Sequence, residues 1–383
     1  MPSPRPIPQV YQKLGVTPII HAAGTTTRYG GSLMRPETIE AIREAAQAFV
    51  NIDELNEAAG AAIARMLGAE AALVTGGAAA GLVLQAAACM TGDDPGKIAR
   101  LPDAAGMKHE FIIQRMHRFQ YDQAFRLAGG TLVDIGLGRR TMAYELEQAI
   151  TDKTAAVVFL DSPFTSPPGM LSCESMCEIA HKHGIPVIVD AASMLPPRAN
   201  LYKHLRLGAD LVNFSGGKGI RGPQSTGMLV GRQDLIRAAA LNNSPNAGVG
   251  RPAKTSKEEI VGLVTALELF LAEDEEAEMN RYREVCTHIV DAVRDLSGLR
   301  AVVEQDPCNR VLPHAVIYFE RSWQGPSGQA VRDALATGTP HIYVQQGTQQ
   351  GGYFDEIAVD PINLQPGDEE IVATRLREEL TRH

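Results

Sequence analysis

The sequence predicts an α/β fold: a mostly parallel, seven-stranded sheet with helices on both faces, plus a small C-terminal α+β domain. Three observations carry this. Short apolar runs without polar alternation recur between helical stretches, as expected of strands buried on both faces. Residues with reactive groups stand immediately after those runs, where ligands of such sheets bind. Residues 257–296 then read as helix almost without a break, and the rhythm changes after them.

In chain order, MPSPRPIPQV is an extended arm, because each proline biases its predecessor away from helix. It lacks the apolar core of a signal peptide. VTPIIHAAG is a short extended piece. Helices follow at ETIEAIREAAQAFV and DELNEAAGAAIARML. The alternation then begins: strand AALVT (71–75) and helix GGAAAGLVLQAAACM, strand EFIIQ (110–114) and helix AFRLAGG, strand TLVDIG and helix YELEQAI. Strand AAVVFLD (155–161) and helix CESMCEIAHKHG come next, then strands IPVIVDAA (185–192), ADLVNF (209–214) and GMLVG (227–231). About forty helical residues would span roughly 60 Å, so 257–296 is one bent helix or two in succession. Its acidic run, Glu273-Asp274-Glu275-Glu276, reads as a solvated helical face. The end of the chain alternates strands AVIYFE, HIYVQ and EIAV with helices SGQAVRDALA and DEEIVATRLREEL. The expected division is an N-terminal arm and helix packing on the small domain (1–50), a large domain (51–255), a connecting helix (256–297) and a small domain (298–383).

Composition narrows the function. The chain has 383 residues, 44% of them hydrophobic, enough for a sizeable core. A formal charge of −9 argues against a nucleic-acid partner, which selects for a basic face. Five cysteines without dense clustering fit reduced thiols and a cytoplasmic setting. Cys173 and Cys177 could share one helical face, but no second pair completes a zinc set, so no metal is expected. No apolar run is long enough to span a membrane.

The chemistry is concentrated at strand ends. Asp190 ends IPVIVD, where an unpaired carboxylate would be costly; alone it fits a helix cap as well as an ion partner. Lys218 follows the next strand, in NFSGGKGIRG. Together they suit pyridoxal phosphate, whose aldehyde needs an amine and whose ring nitrogen needs an anion to stay protonated. Thr75-Gly76-Gly77-Ala78-Ala79 follows AALV and opens a helix, a natural phosphate site of free N–H groups, with the Thr75 hydroxyl as a further donor. Ser215 offers another hydroxyl. His117, with Arg118 and Phe119 as rivals, is the candidate to stack on the ring, and Asp161, ending AAVVFLD, the candidate partner of the ring hydroxyl. An exposed loop histidine and a turn-capping aspartate are the plainer readings of these two.

The order TGGAAAG, VIVDAAS, NFSGGKGIRGPQSTG and GRPAKTSKEEIVG resembles fold-type I pyridoxal phosphate enzymes, more narrowly the selenocysteine synthase-like group, which includes ammonia-lyases. The likeness runs from GTTTRYGGSLMRPE to the C-terminal domain. It implies that Lys218 is the Schiff-base lysine, that Asp190 is the pyridinium partner, and that Gly76, Gly77, Ala78 and Ser215 bind the phosphate. It also implies a homodimer or higher homo-oligomer with sites near the interface.

The expected reaction is α,β-elimination with ammonia release from a small hydroxy-amino acid or amino sugar acid, Lys218 taking the α-proton. Racemase, aldolase and aminotransferase chemistry are the alternatives with the same cofactor; a non-catalytic binding protein is the alternative from another class. Relatives tend to carry an arginine after an IYV-like strand, whereas TPHIYVQQG has Gln345 there. Arg28, Arg251 and Lys254 are therefore candidates to hold a substrate carboxylate, and Thr27, Tyr29 and Ser32 to face the substrate.

Overall fold

The computed structural model describes residues 8–162, 168–305, 312–346 and 355–382. In chain order their strands are β1 (Ile19–Ala22), β2 (Ala71–Thr75), β3 (Glu110–Gln114), β4 (Thr131–Ile135), β5 (Thr154–Leu160), β6 (Val187–Asp190), β7 (Leu211–Ser215), β8 (Gly227–Gly231), β9 (Leu299–Gln305), β10 (Pro313–Phe319), β11 (His341–Val344) and β12 (Glu356–Val359). The chain divides into two compact units, Ser32–Glu273 and Met1–Gly31 with Asp274–His383.

The larger unit holds the seven-stranded sheet, in the order β2-β8-β7-β6-β5-β3-β4. Only β8 runs against its neighbours β2 and β7. Successive residues of one strand feed opposite cores. Ile112, Val157, Val189 and Val212 enter one apolar cluster; Phe111, Ile113, Val158, Ile188 and Leu211 enter the other. This two-sided burial is why the strands read as unbroken apolar runs, and every residue of β5 is buried.

The smaller unit has a three-stranded antiparallel sheet, β12-β10-β9, and a parallel pair, β1-β11. The helices Glu275–Asp291, Gly328–Thr337 and Asp368–Leu380 contribute Cys286, Ile289, Val331 and Leu376 to its core, against Ile317 and Ile357.

Of the two forms expected for the long helical stretch, the structure has two helices in succession, Lys257–Ala272 and Glu275–Asp291. Glu273 is extended and Asp274 caps the second helix, accepting from Ala277 N at 3.1 Å. The acidic run is thus a break and a helix start, and the units part there rather than at 255 and 297. The helix Pro36–Ala45 was expected on the small domain; instead it packs against Lys257–Ala272 in the larger unit. Gly262 permits that approach, because a Cβ there would lie 2.9 Å from Ile42 Cδ1. Finally, β9 is a strand the sequence reading omits.

Candidate active site

The parallel strands deliver the candidate residues to one edge of the large sheet. Thr75 ends β2, Ser215 ends β7 and Asp190 ends β6; Asp161 lies one residue beyond β5, and His117 closes the turn Arg115–His117 after β3. This is the carboxyl edge, where doubly wound sheets bind ligands.

Asp190 is 5% exposed. Its Oδ1 accepts from Ala192 N at 3.0 Å and from Asn213 Nδ2 at 3.4 Å. Burial pushes its carboxyl up to about 6, against the pull of the Ala192 N–H, the Lys218 charge and Asn213; the Asp161 charge adds to the rise. Lys218 is half-buried and within the electrostatic reach of Asp190. A carboxyl so desolvated, with two weak donors and one cation nearby, suits a protonated ring nitrogen.

The loop after β2 fits a phosphate. The helix Gly77–Thr91 begins at Gly76 with no side-chain cap and no acid in its first turn, so its leading N–H groups and positive dipole end are available to an anion. A Cβ on Gly76 would sit 2.2 Å from the Ala253 carbonyl oxygen, and Gly77 takes φ 86°. The loop therefore demands glycine at both positions, by closeness at one and backbone conformation at the other. The Thr75 hydroxyl differs from expectation: it donates to Gly77 O at 3.0 Å, so its proton holds the loop rather than serving a ligand. Ser215 is buried at the end of β7, two strands away from β2 in the sheet.

His117 is buried, not an exposed loop residue. Its Nδ1 accepts from Leu160 N at 3.2 Å, which places a proton on Nε2 when the ring is neutral, and its ring meets Phe159 edge-on at 4.8 Å. The rival Arg118 is held by Asp122 and Asp134. Asp161 accepts from His204 Nε2 and, at 3.3 Å, from Lys203 Nζ. Burial alone pushes its carboxyl up; the His204 hydrogen bond and the neighbouring His204 and Lys203 side chains overcome this and hold it below the usual value.

Sequence reasoning missed Asn213, His204 and Lys203. Asn213 is fully buried and donates to Ala78 O at 2.9 Å as well as to Asp190, tying the start of the helix after β2 to the end of β6. A polar residue inside the apolar run ADLVNF was the available signal. His204 and Lys203 lie on the helix Asn200–Arg206, whose short pattern carries no motif.

The candidate substrate residues are split between units. Ser32 does not face outward: its Oγ donates to Lys218 O at 2.8 Å. Arg251 is exposed, two residues before the Ala253 that covers Gly76. In the smaller unit, Thr27 and Arg28 are exposed on the turn Thr27–Tyr29. Tyr29 packs on Tyr343 of β11, ring centroids 4.3 Å apart. Gln345 follows β11 and pairs its backbone with Ala358, N–H to carbonyl at 2.9 Å.

Comparison with known proteins places this arrangement. The family model described as SelA, L-seryl-tRNA selenium transferase, matches residues 19–297. The chain belongs to the SelA family. It is 33% identical to D-glucosaminate-6-phosphate ammonia lyase of Salmonella typhimurium, over 97% of this chain and 98% of that one. It is 32% identical to a 5'-C-glycyluridine monooxygenase-decarboxylase of a Streptomyces species, over 97% of this chain and 92% of that one. An L-seryl-tRNA(Sec) selenium transferase of Serratia proteamaculans shares 28%, over 68% of this chain and 58% of its own length. A solved structure of D-glucosaminate-6-phosphate ammonia-lyase superposes with TM-score 0.85 at 32% identity, covering 97% of this chain and 98% of that one. A serine palmitoyltransferase with the pyridoxal phosphate internal aldimine superposes at TM-score 0.61 and 14% identity, which shows a shared fold. This SelA-family chain thus has the fold-type I architecture that its motifs resemble, and its cofactor is pyridoxal phosphate.

Proposed function

We infer that the protein is a pyridoxal phosphate-dependent lyase that releases ammonia from a small hydroxy-amino acid or amino sugar acid by α,β-elimination. The observation that carries this is Lys218, half-buried beyond one strand and acting electrostatically on the buried Asp190 at the end of the next. The full-length likeness to an ammonia lyase supports the reaction class.

When bound, the cofactor supplies an electron sink conjugated to the substrate α-carbon. The chain's own residues do the rest. Backbone N–H groups of Gly76, Gly77 and Ala78, with Ser215, hold the phosphate. Asp190 keeps a proton on the ring nitrogen, and Asn213 keeps Asp190 and the phosphate loop in register. His117 packs against the ring, and Asp161, held anionic by His204 and Lys203, faces its hydroxyl. Lys218 as a free amine takes the α-proton; as an ammonium it then returns a proton to the departing β-hydroxyl, which leaves as water, and the released enamine tautomerises and is hydrolysed by one water to a keto acid and ammonia. In the larger unit Arg251 and Lys254 are the candidates for the substrate's acidic groups; in the smaller unit the candidates are Arg28 for those groups and Thr27, Tyr29 and Gln345 for the substrate.

The 32% identity to a monooxygenase-decarboxylase supports a second reading, oxygen-dependent loss of a carboxyl group from an amino acid. The purified holoenzyme should be assayed on a panel of amino acids and amino sugar acids for ammonia, carbon dioxide and oxygen uptake. Ammonia and a keto acid, formed without oxygen or an added keto acceptor, are the expected result. Oxygen uptake with carbon dioxide release favours the second reading; a product of unchanged mass marks a racemase.

The partner we propose is a small molecule and not a nucleic acid, in keeping with the net charge of −9. We further propose a homodimer or higher homo-oligomer in the cytoplasm. The free cysteines Cys89, Cys173, Cys177 and Cys286 fit a reducing compartment, and no described helix is long and apolar enough to cross a membrane.

A further inference from the structure

We propose that residues 32–35 form a positioning element for the lysine loop, with Arg35 as its anchor. Three side chains join the two stretches. Ser32 Oγ donates to Lys218 O at 2.8 Å, Arg35 Nη1 donates to Ile220 O at 3.3 Å, and Arg221 Nε donates back to Leu33 O at 3.1 Å. Lys218 O also accepts from Arg221 N at 3.0 Å, so the carbonyl of the reactive lysine is held from two sides.

Arg221 shows that this fixing works against a local preference. It takes φ 63°, the one non-glycine among the described residues in the left-handed region. Such a conformation costs on the order of 1 kcal/mol and persists where surrounding contacts over-determine it. Here its N–H is spent on Lys218 and its guanidinium on Leu33. The element is itself anchored. Arg35 Nη2 donates to Glu273 Oε1 at 2.7 Å, with the two side chains 13% and 24% exposed, and Arg198 donates to the Glu273 carbonyl. Arg35 thus ties the lysine loop to Glu273, the last residue of this unit.

A lysine amine rides on a flexible stem, so the backbone sets the point from which it swings. Misplacing a reacting group by about 1 Å costs on the order of 10²-fold in rate. Ser32 and Arg35 touch no reacting atom; they act through Lys218, and their role rests on Lys218 being the cofactor lysine.

The test compares holoenzymes carrying Arg35→Met, Arg35→Lys, Ser32→Ala and Lys218→Ala. Arg35→Met and Ser32→Ala should each lower kcat about tenfold or more, with KM changed by less than about threefold. They should also shift the pH titration of the bound cofactor's absorbance, and Arg35→Lys should recover part of both effects. Ser32→Ala removes a single hydroxyl and carries the test if Arg35→Met does not fold. Wild-type kcat and titration in the folded variants would overturn the proposal. Lys218→Ala separates the two ideas: if it keeps the cofactor's absorbance band, the assignment of Lys218 fails. If it loses the band while the other variants match wild type, only the positioning role fails.

Discussion

His204 donates its Nε2 hydrogen to Asp161, and both side chains are sealed from water. Lys203, partly exposed, brings an ammonium to the same carboxylate at 3.3 Å. Breaking a buried charged pair strands the remaining partner, so His204→Ala should cost about 3 kcal/mol, measured by urea unfolding. A double cycle with Asp161→Asn should show coupling above about 1 kcal/mol. Asp161 has a lowered folded pKa, so its stabilisation is present above its ordinary value of 3.8 and is lost as pH falls through the folded pKa. A gap between wild type and variant that grows on acidification would refute this account.

Asp190 has the opposite sign. Its folded pKa of about 6 lies above the ordinary 3.8, so the cofactor-free fold holds a proton that the unfolded chain has released between those values. Stability from this group is full below about pH 4 and falls by up to about 3 kcal/mol as pH rises through 6. Cofactor-free Asp190→Asn should therefore melt higher than wild type at pH 7.5, with the difference closing near pH 4. The same substitution should lower holoenzyme turnover by about 10²-fold or more, because an amide cannot stabilise the ring-nitrogen charge. Equal melting curves at pH 7.5 would contradict the first expectation.

Gly76 and Gly77 should respond differently to alanine. At Gly76 the new methyl meets the Ala253 carbonyl oxygen at 2.2 Å, so backbone must move. At Gly77 the nearest atom, Ser225 O, is 3.6 Å away and only the φ of 86° is unfavourable. Gly76→Ala should weaken pyridoxal phosphate binding by about tenfold or more, and Gly77→Ala should cost on the order of 1–2 kcal/mol of backbone strain with a smaller loss of affinity. Equilibrium titration of cofactor-free protein gives both constants. Equal affinities for the two variants would sink the distinction.

Thr75 and Ser215 form a second contrast. The Thr75 proton is committed to Gly77 O, so Thr75→Val should destabilise by about 1 kcal/mol while changing cofactor affinity only a few-fold. Ser215→Ala should weaken affinity more than it weakens the fold. The reverse ranking in titration and melting would show Thr75 to be the ligand.

The sequence carried the large sheet well, because burial on both faces leaves each strand a continuous apolar run; AALVT, EFIIQ and GMLVG match β2, β3 and β8 to the residue. It missed β9 for the same physical reason inverted. LRAVVEQ is only partly buried and carries Arg300 and Glu304, so it gives no clear period. Glu273 and Asp274 deceived because helix-compatible acids read identically on a solvated face and at a helix break. Among the candidate residues, Lys218 and Asp190 stood out through their places after strands. Asn213, His204 and Arg35 were not, since each acts by reaching a residue far along the chain, and such distances leave no trace in local pattern.

The hairpin bearing the amine is knotted onto itself. Gly216 N–H reaches Thr226 O, Gly222 N–H reaches Gly216 O, and the Thr226 hydroxyl closes on Pro223 O, while both ends are pinned in the sheet. Its length is consequently locked: one residue more or fewer would break the knot and swing the Lys218 amine away. Among remote cousins, the spacing from that serine to the following antiparallel strand should therefore track shared chemistry more faithfully than percentage identity does.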